Sequence, residues 1–113
     1  MVVAADKGDI KMSTIKIRAK ENNGSVTVKA LIKHPMETGQ RKNNKTGEFI
    51  PPHYIQEVIA KSNGEKVITI FWGPAVSKNP YLTFNYAGNK GDKLEISWVD
   101  NKGNQDSNNT TIK

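Results

Sequence analysis

Apolar and polar residues alternate along most of this chain, which is the signature of strands with one buried and one solvated face. "STIKIRAK" sets Ile15, Ile17 and Ala19 against Lys16, Arg18 and Lys20. "SVTVKALIK" sets Val26, Val28, Ala30 and Ile32 against Thr27, Lys29 and Lys33, and the intervening Asn22-Asn23-Gly24 tolerates positive φ, so the two runs predict a hairpin. "HYIQEVIAK" and "EKVITIFW" flank Asn63-Gly64, the strongest local hairpin signal in the chain. "YLTFNYA" and "KLEISWVD" continue the pattern with Leu82, Phe84 and Tyr86, then Leu94, Ile96 and Trp98, on single sides. No helical period interrupts these runs. Short strands at regular spacing, separated by Gly, Asn and Pro turns, predict one all-β domain: an antiparallel β-sandwich of roughly seven strands.

Two connections stand out. His34 and Pro35 end the second run, because proline cannot donate to a ladder, and "KHPMETGQR" opens a long excursion whose segment 39–52 is polar, basic and rich in turn residues. A short hairpin around "KTG" fits within it. "FWGPAVSKNPYL" carries Trp72, Pro74, Ala75 and Val76 where a plain linker is expected. Two readings stay open there, a tight crossover between sheets and an apolar contact patch for another protein. The aromatics Phe71, Trp72, Tyr81, Phe84, Tyr86 and Trp98 fall at core spacing and are expected to pack inside.

Composition narrows the chemistry. A chain of 113 residues with 35% hydrophobic content holds one core. It has no cysteine, hence no disulfide, thiolate nucleophile or thiolate-bound metal. Lys and Arg number 17 against 11 Asp and Glu, a formal charge of +6 that favours anionic partners. These cations are spread singly, densest from Lys29 to Lys45, with no polybasic block, no helix-turn-helix and no aromatic RNA-binding string. No segment reaches membrane-spanning length, and the apolar start before Asp6 is too short for a secretory signal. The folded domain is expected over 12–104, between an N-terminal extension at 1–11 and a polar C-terminal tail at 105–113.

Catalysis finds few candidates. Only two histidines occur, His34 and His53, and no HExxH pattern or carboxylate cluster completes a metal set, so no metal and no cofactor are expected. No serine sits in a GxSxG elbow, no glycine-rich phosphate loop is present, and Glu37 and Glu57 are ordinary in context. No catalytic residue is assigned.

Three longer strings carry a resemblance: "VKALIKHPMETGQRKNNKTGEFIPPHYIQEV", "FWGPAVSKNPYLTF" and "GDKLEISWVDNKG" resemble the SoxZ family, from about Ile15 to Gly103. The resemblance implies an immunoglobulin-like β-sandwich that is not an enzyme. It also implies a SoxYZ heterodimer, in which a cysteine of SoxY carries sulfur intermediates during thiosulfate oxidation while other Sox enzymes act on them. Periplasmic location by co-export with a signal-bearing partner follows from it, as does the absence of nucleic-acid and membrane partners. Trp72, Pro74, Ala75 and Val76, with Met36, Arg41 and Lys42, are the expected partner contacts. "HPM" followed by "HYI" is similar to the iron site of superoxide reductase-like sandwiches, of which His34 and His53 match two ligands. The long insertion and missing cysteine imply a related sandwich that has lost its iron. A basic nucleic-acid-binding β-domain is the remaining alternative.

Overall fold

A computed structural model describes residues 13–113. Seven antiparallel strands form it: β1 (Ile15–Asn22), β2 (Ser25–Ile32), β3 (Ile55–Ser62), β4 (Glu65–Phe71), β5 (Tyr81–Ala87), β6 (Lys93–Asp100) and β7 (Gln105–Thr111). They make a three-stranded sheet in the order β1-β2-β5 and a four-stranded sheet in the order β4-β3-β6-β7. The expected β-sandwich is present. The extension expected at 1–11 lies outside the described residues, as does Met12.

The alternating runs fold as the period of two requires. Ile15 and Ala19 of β1, Val26, Val28, Ala30 and Ile32 of β2, and Leu94, Ile96 and Trp98 of β6 meet in one core with Ile55, Val58 and Ala60. Both expected hairpins form, and Asn23 (φ 54) and Asn63 (φ 50) lead their glycines through the left-handed turns that match strand twist.

Within residues 105–113, expected as a polar tail, Gln105–Thr111 form β7 instead. Its register with β6 runs from Val99↔Gln105 to Lys93↔Thr111, and Ile112 just beyond it is buried. No apolar alternation announces this strand, because polar side chains on it bond the start of β1. The Asp106 carboxylate accepts from the Thr14 N–H (2.8 Å) and hydroxyl (2.7 Å), and the Asn108 amide donates to the Ile15 carbonyl (2.8 Å). Burial pushes the Asp106 carboxyl up, but the hydrogen bonds from Thr14, Ser107 and Ser13 outweigh it and hold the group below the usual carboxylate range. These bonds close the sandwich where β1 lies against β7. Among the described residues β4 and β5 are the edges without a strand partner, at the ends of their sheets away from β1 and β7.

Two aromatics expected in the core are outside it. Phe71 and Tyr81 are 76% and 59% exposed. Phe71 is the last residue of β4 and Tyr81 the first of β5, where the side-chain alternation points each away from the interior.

Candidate functional site

The segment leaving β2 turns back into the sandwich. The His34 N–H donates to the Asn79 side chain (2.9 Å) and its carbonyl accepts the Asn79 N–H (2.9 Å), so two connections clamp each other. Pro35 stays outside, and Met36 adopts φ 50, a left-handed backbone that costs a non-glycine residue about 1–2 kcal/mol. That turn brings the Met36 N–H to His34 Nδ1 (3.1 Å) and buries the thioether, whose sulfur accepts the Ile55 N–H (3.3 Å). Glu37 and His53 then pair through both backbone bonds (2.6 and 3.0 Å), which brings the second histidine alongside the first.

Both rings point at one carboxylate. His34 Nε2 lies 3.0 Å and His53 Nε2 2.7 Å from Asp100 Oδ2, and the two rings stand edge to face with centroids 4.6 Å apart. Asp100 ends β6, and its other oxygen accepts the Lys102 (2.9 Å) and Asn104 (2.8 Å) N–H groups, while the Asn104 amide reaches Oδ2 (3.2 Å). Among the described residues His34 and Asp100 are the buried polar ones, and His53 is half-buried beside them. Burial pushes the Asp100 carboxyl up. The two histidines and Asn104 more than offset this and hold it far below the usual carboxylate range.

The hydrogen-bond pattern assigns the His34 tautomer. A backbone N–H can only donate, so Nδ1 is the acceptor facing Met36, and in the neutral ring the proton sits on Nε2 and is given to Asp100. Such a cluster can orient a loop and hold a buried negative charge. The ligand atoms of His34, His53 and Asp100 lie within 4.8 Å of one another, which has the outline of a metal triad. The donor set does not fit one, however. A metal on Nε2 moves the ring proton to Nδ1, against the Met36 N–H, whereas metal-bound histidines give that second N–H to an acceptor. The iron-site likeness thus extends to the positions of the two histidines and no further.

The sequence reading places His34 at the end of a strand, where it is, but not in the core, and does not include Asp100 in a cluster with it. The signal was present, since the inward alternation of Leu94, Ile96 and Trp98 carries on to Asp100.

The expected partner contacts divide. Met36 is 5% exposed and supports the sandwich, because its side chain fills the core and its sulfur serves the Ile55 N–H, so it is not available as a partner contact. Trp72 and Val76 are half-buried and pack on the core, while Pro74 and Ala75 are exposed next to Phe71. Arg41 is exposed and forms a forked pair with Glu37 (2.6 and 3.1 Å), whose carboxyl it holds below the usual range. Lys42 sits over the Phe49 ring (5.2 Å), and their strand-like pairing closes the small hairpin around Thr46 and Gly47.

No helix among the described residues is long and apolar enough to cross a membrane. The sequence model of a family described as "Sulphur oxidation protein SoxZ" matches residues 15–111. No curated protein matches the chain significantly.

Proposed function

The chain belongs to the SoxZ family of sulphur oxidation proteins, and on that premise we propose that it is the non-catalytic half of a SoxYZ sulfur carrier. Its role in the Sox system follows from the family. Its pairing with SoxY, whose cysteine carries the sulfur intermediates, is our reading, as are its periplasmic location and its brief contacts with other Sox enzymes. Two features support a partner that brings the nucleophile: this chain has no cysteine, and the polar atoms of its buried His34–Asp100 pair already have protein partners.

The observation that carries the pairing is the open side of the sandwich. Among the described residues β4 and β5 present unpaired edges there, and Phe71 stands 76% exposed at the end of β4, followed in the chain by exposed Pro74 and Ala75. An apolar anchor beside an unpaired edge suits a partner that covers the aromatic and continues a sheet. Trp72 supports this surface by packing on the core, and Arg41 and Lys42 guide docking from the connection between β2 and β3.

Co-expression with the cysteine-bearing SoxY, followed by size-exclusion chromatography at dilute concentration, tests the reading. Co-elution is expected, with Phe71→Ala releasing the partner at lower dilution than Arg41→Ala. Separate elution, or homodimers alone, would remove the carrier assignment. Co-elution that Phe71→Ala leaves untouched moves the interface elsewhere. Fractionation of cells producing the pair checks its periplasmic location.

A further inference from the structure

The outer face of the three-stranded sheet is charged with one sign. Lys16, Arg18 and Lys20 project from β1 and Lys29 from β2, all exposed. The register places Arg18 directly opposite Lys29, and like charges facing across a ladder destabilise a sheet. Among the described residues none of the four has a carboxylate partner. Glu21, the acidic residue of β1, is turned the other way by its pairing with Val26 and bonds the Gly24 N–H instead (2.6 Å). The outer face of the four-stranded sheet differs, since Glu57 and Glu95 are interspersed there with Lys61.

Two further features shape the cationic face. A depression of about 800 Å³ runs beside β1, where Lys113 comes alongside Arg18, Lys20 and Lys29, and no Asp or Glu side chain lines it. At the other end of the face Leu31 lies opposite Tyr81, 42% and 59% exposed, in the same rung as Lys16. Alternate residues of a strand are about 7 Å apart, so the β1 cations form a row of that pitch. An extended polypeptide with carboxylates on every second residue has the same pitch.

We propose that this face docks an extended acidic segment of a partner protein, its carboxylates on the Lys16-Arg18-Lys20 row with Lys29, and one apolar side chain on Leu31 and Tyr81. The apolar anchor favours a polypeptide over a phosphate backbone, which has nothing to place there. Complementary charge accounts for keeping an Arg18–Lys29 pair that the sheet alone does not favour. The surface is distinct from the Phe71 edge, and the inference does not depend on the pairing proposed there.

Titration of the isotopically labelled chain with a short poly-L-glutamate, read by amide chemical shifts, tests this. Shifts are expected along β1 and β2 from Lys16 to Lys29, with binding that weakens as salt rises. Arg18→Glu with Lys29→Glu should weaken binding about tenfold or more, whereas Lys66→Glu on β4 leaves it within about twofold. A matching amide spectrum checks that each variant is folded, and the footprint on the unaltered chain needs no variant. Absent shifts, shifts centred on another surface, or a double variant that binds as before would overturn the proposal. So would tighter binding to a short DNA duplex than to poly-L-glutamate, which would make the face a phosphate surface.

Discussion

The connection between β2 and β3 has two halves that hold their shape by different means. The first, His34 to Glu37 with the returning His53, is folded into the sandwich, and its polar atoms converge on Asp100 out of water. The second, residues 39–50, is almost wholly exposed and is held by the Arg41–Glu37 fork, a small turn, and Lys42 over Phe49. Identical bond lengths mean different things in these two places. A buried donor that loses its acceptor keeps its full desolvation cost, while an exposed one turns to water. The first half is therefore scaffold, and the second is free to vary or to meet a partner.

Asp100→Ala is expected to have the largest effect. It leaves the buried Nε2–H of His34 without an acceptor, removes the His53 bond and frees the turn that Lys102 and Asn104 hold. Bonds to charged groups contribute about 1.5–3 kcal/mol each and a buried orphan costs about 1–3, so a loss of roughly 3 kcal/mol or more is expected in denaturant unfolding. That is a large share of the roughly 5–15 kcal/mol that holds a domain folded. Asp100→Asn should lose less, since its carbonyl oxygen still accepts from one ring. A loss below about 1 kcal/mol for Asp100→Ala would erase the contrast between the halves.

Acid should reach the same residue. The folded Asp100 carboxyl lies well below its unfolded value of about 3.9, so in that window the unfolded chain binds more protons and stability rises with pH. Its contribution is fully present above about pH 5 and is lost as the pH falls through the folded value. Asp106 adds a slope of the same sign. Unfolding measured from pH 6 downward should fall less steeply in Asp100→Ala than in the unaltered chain, and parallel slopes would show that another group dominates.

Much of this was legible in the sequence, for reasons these residues make plain. Strands with apolar inward positions, such as Val26 to Ile32, announce themselves. β7 does not, since its inward Asp106 and Asn108 are chosen to bond β1 rather than to exclude water. Phe71 and Tyr81 depart from the core expected of their spacing, because each sits at a strand end on an outward position of the alternation. The cluster around Asp100 is hidden in the sequence for a different cause. Its members are 19 and 47 residues apart, at 34, 53 and 100, and a spacing motif registers only ligands delivered by one local element.

Smaller effects separate the members of the cluster. His53 is half-buried, and water can reach the place it vacates and replace part of its bond, so His53→Ala should cost about 1 kcal/mol, less than the about 1.5–3 kcal/mol of a fully buried bond to a charged group. His34→Ala should cost clearly more, because it opens a space next to Trp98, whose ring stands 5.1 Å away, and releases the left-handed Met36 turn. Equal losses would mean the two rings share the load evenly. Across the boundary, Arg41→Ala should leave the unfolding midpoint within error, as most exposed ion pairs contribute little. A measurable drop there would make the exposed half structural too.

The smallest expected effect is none, and it concerns zinc or ferrous ion. A metal that binds the folded chain alone raises stability by RT ln(1 + [L]/Kd), about 2.7 kcal/mol at a hundredfold excess over Kd, so a genuine site at His34, His53 and Asp100 would be conspicuous in a melt. The His34 tautomer argues against one, since the Met36 N–H occupies the position where a metal-bound ring needs an acceptor. Melting with and without zinc or ferrous ion should therefore coincide, and the dialysed protein should carry no stoichiometric metal. A rise in the midpoint that His53→Ala abolishes, or metal retained through dialysis and released by His34→Gln, would show that the Met36 turn yields to a metal. The buried half of the connection would then be a binding site held in reserve by a hydrogen bond, and its contrast with the exposed half would have to be drawn from ligand chemistry instead of burial.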